Sequence, residues 1–129
     1  GLLGGVVLHG GGWKDSQVME PCIVDDPEDP NRLVMFFASM AAPVATGVMS
    51  IGAATATKDN PYRWSEDANN PLMGPGIRGQ WDDQWIRLDS VVPLGGGRFR
   101  IYYTGHGIGT GIDQIGTAVC TKRGKSLVY

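Results

Sequence analysis

An internal repeat is the feature that most constrains the fold of this chain of 129 residues. Residues 13–24 match residues 81–92 at a constant offset of 68 positions, which places Trp13 on Trp81 and Ile23 on Val91. Two later blocks match at offsets of 66 and 64: residues 35–39 on 101–105, and 51–58 on 115–122. The copies drift only at turns, so the sequence predicts a supersecondary unit of about 65 residues that is used twice.

Each copy contains short apolar or aromatic stretches separated by turn residues. Strands are predicted at 21–24, 33–39, 48–57 and 62–65, then at 90–93, 99–105 and 114–121, with the start of another at 125–129. No segment keeps a 3.6-residue period, so almost no helix is expected. Four strands per repeat predict an all-β fold of two four-stranded antiparallel β-propeller blades, at about 13–69 and 81–129, in one module spanning 1–129. The alternative is an antiparallel sandwich with two similar hairpins.

Composition narrows the class of partner. The 20 Gly and 8 Pro favour a turn-rich β protein. The net charge of −2 comes from scattered charges, which argues against nucleic acid or an anionic membrane as the main partner. The apolar N-terminal stretch lacks a basic leading segment and a small-residue cleavage site, so no signal peptide is predicted, and both secretion and the cytoplasm stay open.

Five motifs together resemble the blade signature of the five-bladed β-propeller glycosidases. They are Asn-Pro-Leu at 70–72, Gly-Gln-Trp-Asp at 79–82, the apolar Val-Val at 91–92, the tyrosine-rich stretch at 98–105 and Ile-Gly-Thr-Ala at 115–118. That group includes glycoside hydrolase families 43, 32, 68, 117 and 130. The resemblance implies a carbohydrate-active module, and an enzyme acting on arabinosides, xylosides, fructosides or related oligosaccharides. The alternative is a non-catalytic glycan-binding or structural propeller fragment.

Two blades fall short of the five in such a propeller, which needs roughly 300 residues at this repeat length. The resemblance therefore implies either a homo-oligomer, for example three chains giving six blades, or the remainder of a longer propeller chain. Two blades alone leave sheet edges and faces uncovered, which is an aggregation hazard. An isolated monomer is accordingly not expected.

Two carboxylates are the candidate catalytic residues. Glycoside hydrolysis needs a pair, roughly 6.5–9.5 Å apart for inversion or about 5–5.5 Å for retention. Glu20, in Met-Glu-Pro, resembles the general acid of family 43, and Asp89 resembles the carboxylate that orients this acid; no base is assigned. The alternatives are that Glu20 caps backbone N–H groups at a strand start, and that Asp89 bonds to Ser90 or to Arg87.

Aromatic and basic residues near the second inner strand are the candidate substrate-binding residues. Trp85 and Trp81 can stack on the apolar face of a sugar ring, although Trp81 is repeated by Trp13 and a repeated residue favours packing. Arg87 can bind a sugar hydroxyl, and His106 lies in a Gly-flanked loop suited to an accessory binding role.

The sequence predicts no cofactor. The acidic segment at 25–29 offers oxygen ligands for calcium, but it lacks the spacing of a known calcium loop, and a solvated turn is favoured. Phosphate loops, zinc-spaced Cys pairs and serine hydrolase motifs are absent from the sequence.

Overall fold

Two antiparallel four-stranded sheets form the protein in its computed structural model, which describes residues 5–41, 48–123 and 126–128. The chain is therefore all-β, and its helical content within these residues is one 3₁₀ turn at Gly12–Lys14. The first sheet contains β1 (Gln17–Asp26), β2 (Asp29–Met40), β3 (Met49–Thr57) and β4 (Asn60–Glu66). The second contains β5 (Trp85–Gly95), β6 (Arg98–His106), β7 (Asp113–Arg123) and β8 (Ser126–Val128).

The strands are longer than the sequence predicted. The segment 25–31 was expected to be a turn, yet β1 runs to Asp26 and β2 begins at Asp29. The turn shrinks to two residues because an Asp26 side-chain oxygen accepts the Glu28 N–H at 2.9 Å. Likewise β5 already begins at Trp85, which was expected in a loop before the strand. None of the described helical residues forms a helix long and apolar enough to cross a membrane.

The strand register follows the offsets of the sequence repeat. Residues of β1, β2 and β3 correspond to residues 68, 66 and 64 positions later, in β5, β6 and β7. Residues that pair across the first sheet therefore have counterparts that pair across the second. Cys22, Phe36 and Ala53 lie side by side in the first sheet, and Ser90, Tyr102 and Thr117 lie side by side in the second. Each inner strand also has a bulge at the same point, between Met19 and Cys22 in β1 and between Leu88 and Ser90 in β5.

The core lies between the two sheets, which pack face to face. Phe36 of the first sheet and Phe99 of the second are both fully buried, and their ring centroids are 5.4 Å apart. Burying two such rings contributes several kcal/mol by apolar area alone. The buried residues around them are Val34, Ala38, Ile51, Ala53, Leu72, Met73, Ile86, Leu88, Val91, Ile101, Tyr103 and Cys120.

Each sheet holds a Trp against a glycine of its third strand. The Trp81 ring stacks on Tyr103, with centroids 5.5 Å apart, and lies where a Cβ on Gly116 would come within 2.5 Å of it. The glycine is therefore required by close approach. The first sheet repeats the arrangement with Trp13, Phe37 and Gly52.

A buried ion pair joins the sheets at the β1–β2 turn. Lys122 Nζ of β7 lies 2.8 Å from a carboxylate oxygen of Asp26, whose side chain is fully buried. Burial alone would raise the pKa of Asp26, but hydrogen bonds from Lys122 and the Glu28 N–H, with Arg32 nearby, hold that pKa below its ordinary value. The pair links the two sheets at this end.

Candidate functional site

Glu20 connects the two inner strands. It sits in the β1 bulge with φ of 55°, a backbone region that residues other than glycine adopt rarely. One carboxylate oxygen accepts hydrogen bonds from Arg87 Nε at 2.7 Å and Nη2 at 2.6 Å, and the other accepts the Leu88 N–H at 3.1 Å. Both oxygens of Glu20 are thus used, and a role as proton donor requires this arrangement to open.

Asp89 occupies the corresponding bulge in β5. Its carboxylate accepts a hydrogen bond from the Thr104 hydroxyl at 2.7 Å. From the sequence, Ser90 and Arg87 were the expected partners of Asp89. The partner in this hydrogen bond is Thr104 instead. Both carboxylates are next to Leu88, because Asp89 follows Leu88 in the chain and Glu20 accepts the Leu88 N–H. Both are inside strands rather than just before them, because the strands begin earlier than predicted.

Trp85, His106 and Asp113 form a row across β5, β6 and β7. The Trp85 and His106 rings stack with centroids 5.1 Å apart and an angle of 5°. His106 Nδ1 lies 2.6 Å from a carboxylate oxygen of Asp113. A carboxylate accepts hydrogen bonds, so Nδ1 is the donor in this contact, and Nε2 is the ring nitrogen left to bond to a ligand. The first sheet has Gln17, Met40 and Met49 at these three positions.

Four of the six candidate residues share one face of the second sheet. In β5 the side chains of Ile86 and Leu88 are buried against the first sheet, whereas alternate residues point the other way. The same alternation in β6 buries Tyr103 and leaves Thr104 on the far face. The residues on that far face are Trp85, Arg87, Asp89 and His106.

Trp81 has a different environment from Trp85. Its indole packs on Tyr103 and against the backbones of Gly105 and Gly116, at the edge of the core between the sheets. These are the contacts of a packing residue, which was the alternative considered for Trp81 because Trp13 repeats it. Trp85, in contrast, stacks on His106 on the far face of the second sheet.

The loop before β5 is held by two aspartates whose roles the sequence did not indicate. Asp83 accepts the N–H groups of Gly79 at 2.7 Å and Ile108 at 2.8 Å, and these bonds hold its pKa below the ordinary value. Asp82 is buried and accepts the Tyr103 hydroxyl at 2.9 Å. The loop is therefore fixed to β6 and to the β6–β7 connection, which positions Trp85 at the start of β5.

The acidic segment at 25–29 holds protein cations. Asp25 lies 3.0 Å from Lys58 Nζ, Asp26 pairs with Lys122, and Asp29 lies 3.4 Å from Arg32. These contacts use the carboxylates that were considered for calcium. Among the described residues no group of three or more His, Cys, Asp or Glu side chains is placed to hold a metal ion.

Asp113 and Thr104 are the site residues that sequence reasoning missed. Asp113 lies in the segment between repeat blocks, where the two copies differ in length, so its place opposite His106 follows only from the strand register. Thr104 was read as part of an aromatic strand. The alternation of that strand was the signal available for it, because Thr104 lies two residues before His106 and on the same face.

The site thus belongs to a two-sheet, all-β repeat protein with an aromatic and polar sheet face. Comparisons with protein-family models, with curated proteins and with solved structures found no match to the chain.

Proposed function

We propose that the chain is a carbohydrate-active module of two adjacent β-propeller blades, of the glycoside hydrolase type that acts on arabinosides, xylosides, fructosides or related oligosaccharides. The observation that carries the proposal is the row of Trp85, His106 and Asp113 on the far face of the second sheet. The first sheet builds the same fold with Gln17, Met40 and Met49 at these positions, so the fold itself does not require the row.

The chemistry of this face suits a saccharide. The indole of Trp85 offers a planar apolar surface for the C–H face of a sugar ring, and the Nε2 of His106 and the guanidinium of Arg87 can bond to hydroxyl groups. Arg87 is 55% exposed, so it is accessible to a ligand while still paired with Glu20. A combination of an aromatic platform and convergent polar groups is typical of ligand sites.

Glu20 and Asp89 are the proposed catalytic carboxylates, with Glu20 as general acid and Asp89 orienting it. Two observations support a functional role for Glu20. Its φ of 55° costs about 1–3 kcal/mol for a residue other than glycine, and such strain clusters at functional sites. In the ion pair that must open, the Arg87 side chain is 55% exposed, and water at this partner lowers the cost of opening the pair, although the Glu20 side chain is 19% exposed.

The same ion pair favours the second candidate function, a non-catalytic glycan-binding or structural fragment. A carboxylate that accepts from Arg87 and from the Leu88 N–H performs a structural task without any chemistry. In both versions two blades make an incomplete propeller, so further sheets come from other copies of the chain or from the remainder of a longer chain.

Binding is tested by calorimetry with arabino-, xylo- and fructo-oligosaccharides. Trp85→Ala should weaken the affinity for the bound saccharide about tenfold, equivalent to about 1.4 kcal/mol. Tyr62→Ala is the matched control, because Tyr62 is a highly exposed aromatic residue on the first sheet. An unchanged affinity in Trp85→Ala, or an equal loss in Tyr62→Ala, contradicts a saccharide site at Trp85.

Catalysis is tested separately with aryl glycosides of the same sugars. The enzyme reading expects hydrolysis that Glu20→Gln and Asp89→Asn abolish while saccharide binding is kept. Saccharide binding without hydrolysis by the unmodified chain supports the glycan-binding reading. If the Glu20→Gln variant still hydrolyses the glycosides, Glu20 is not a catalytic residue.

A further inference from the structure

A polar cleft lies on the first sheet and shares no residue with the candidate site on the second sheet. Its volume is about 510 Å³, which is the size of a small-molecule site rather than of a single-ion site. Strands β2, β3 and β4 all contribute to its lining. The residues that determine its chemistry are Asp29, Arg32, Thr55, Thr57, Arg63 and Ser65.

Strand register brings the hydroxyl side chains of the cleft together. Thr55 of β3 lies opposite Ser65 of β4, and on its other side it lies opposite Val34 of β2. Directly opposed residues share a face of a sheet, so the cleft continues the core side of the first sheet outward to β4. The Thr57 hydroxyl oxygen accepts the Asn60 N–H at 3.2 Å, which leaves its O–H free to donate to a ligand.

The fold does not require a hydroxyl group at the Thr55 position. The counterpart of Thr55 in the second sheet, 64 positions later, is Val119. The third strand of the repeat is therefore built equally well with an apolar side chain there. The hydroxyl of Thr55 is a property of this cleft and not of the repeat.

Two arginines make the cleft suitable for an anion. Arg63 is exposed and forms no ion pair with the residues that the structure describes. Arg32 contacts Asp26 through Nε at 3.5 Å and Asp29 through Nη2 at 3.4 Å, so its Nη1 remains for a ligand. Both distances exceed the roughly 2.9 Å of a strong charge-assisted hydrogen bond, so these contacts do not saturate the guanidinium.

The carboxylates beside the cleft are already engaged by cations. Asp26 is fully buried and lies 2.8 Å from Lys122 Nζ. Asp29 contacts Arg32. With Lys122 assigned to Asp26 and Arg32 to Asp29, the charge of Arg63 is the one left without a counter-charge in this group. An anionic ligand therefore completes the charge balance of the cleft.

We propose that this cleft binds a small hydroxylated molecule that carries an oxyanion, either a phosphate or a carboxylate. Arg63 and Arg32 hold the oxyanion, and the hydroxyl groups of the cleft donate to the other oxygens of the ligand. Both anions suit arginine, because its planar guanidinium presents N–H groups as a fork that binds two oxygens at once. The site is separate from the saccharide face proposed above and does not depend on it.

Calorimetry of the 129-residue chain with glucose 6-phosphate, glucuronate and glucose tests the proposal. The first two probes present a phosphate and a carboxylate on the same sugar, and glucose is the neutral control. At least one anionic probe should bind, and glucose should not bind at this site. Binding of one anion alone identifies the phosphate or the carboxylate as the recognised group. Binding of neither anion, or equal binding of glucose, overturns the proposal.

Variants locate the bound anion. Arg63→Met should lower the affinity about tenfold or more, and Thr55→Val, which introduces the side chain of Val119, should lower it about threefold. Arg98→Met is the matched control, because Arg98 is exposed and is the counterpart of Arg32 in the second sheet. An unchanged affinity in Arg63→Met, or an equal loss in Arg98→Met, overturns the proposal. Arg63 is exposed, so the melting temperature of Arg63→Met should equal that of the unmodified chain.

Trp85→Ala separates this site from the saccharide face. It should leave the affinity for the anionic probe unchanged, whether or not the chain binds neutral oligosaccharides at Trp85. Raising the NaCl concentration from about 0.05 M to about 0.5 M should weaken binding of the anion, because salt screens exposed charges. A loss of anion affinity in Trp85→Ala would place the anion on the second sheet and overturn the proposal.

Discussion

The two sheets have the same backbone arrangement, but their faces have different surroundings. Both have a bulged inner strand, the same register and a Trp packed over a glycine of the third strand. The first sheet buries one apolar side against the second, and on its other side Leu8, Trp13 and Trp64 pack over the buried Met35 and Phe37, whereas the far side of the second sheet is polar and aromatic. A repeat therefore preserves strand geometry while the side chains at alternate positions set which faces pack and which can bind ligands.

The same contrast holds for one pair of equivalent lysines. Lys122 pairs with Asp26, which is fully buried between the sheets, whereas its counterpart Lys58 pairs with Asp25, whose side chain is 71% exposed. Equivalent residues thus form a buried ion pair in one case and a surface pair in the other. The position of the neighbouring sheet makes the difference.

The largest effect is expected at the aromatic centre of the core. Phe36→Ala removes a fully buried ring that packs on Phe99 and should lower the free energy of unfolding by about 3–5 kcal/mol. Tyr102→Ala, at the equivalent position of the second sheet, should cost less than about 1 kcal/mol, because Tyr102 is 38% exposed. Urea unfolding measures both, and equal losses would contradict the assignment of the two faces.

The buried ion pair comes next. Asp26→Asn leaves Lys122 without its partner and should lower the free energy of unfolding by about 3 kcal/mol. Asp25→Asn, which breaks the exposed pair with Lys58, should cost about 0.5 kcal/mol or less.

The Asp26 contribution also depends on pH in a defined direction. The pKa of Asp26 is lowered in the folded protein, so its stabilisation is complete above the pKa of about 3.9 of an unfolded Asp. It is lost as pH falls through the lower folded pKa. Urea unfolding from pH 7 to pH 2 should therefore show the difference between the unmodified chain and Asp26→Asn shrinking below about pH 4. If the difference in free energy of unfolding stays constant to pH 2, the lowered pKa of Asp26 is contradicted.

Both sheets pack a Trp on a glycine, so disrupting this packing should have a similar effect on stability in each sheet. Gly52→Ala and Gly116→Ala each place a methyl group within 2.6 Å of a Trp ring, on Trp13 and Trp81 respectively. Each change should cost about 1–3 kcal/mol through overpacking. If thermal unfolding shows one of them to be neutral, the Trp of that sheet is free to move and the two packings are not equivalent.

Among the contacts that join the two sheets, the smallest effect on stability is expected at Glu20. Glu20→Gln removes the ion pair with Arg87 but keeps a carbonyl oxygen for the Leu88 N–H, so the loss should be about 0.5–1 kcal/mol. Arg87→Met is the matched variant and should cost a similar amount. Losses of several kcal/mol in thermal unfolding would show that Glu20 is essential to the sheet junction, and the activity of Glu20→Gln would then report on folding.

Much of the fold was predictable because strand patterns are local. Alternating apolar residues and turn residues indicated the strands and the all-β class. The predicted strands, however, were shorter than the observed strands. The turn after Asp26 shows why. The Asp26 side chain accepts the Glu28 N–H, and this hydrogen bond allows a turn of only two residues, so both strands extend.

The candidate site was predictable in part. Trp85, Arg87, Asp89 and His106 were identified from their residue types, and the structure brings them to one face. Their partners were not identified, because Glu20 lies 67 positions from Arg87 and Asp113 belongs to a segment whose repeat alignment is interrupted.

By itself the sequence determined the repeat and the all-β class, because these depend on local spacing. Only the tertiary structure decided that Phe36 is buried while Tyr102 is exposed, and that Glu20 meets Arg87. The physical reason is that burial is a property of two surfaces in contact, and the strand pattern of one surface does not state which sheet lies against it.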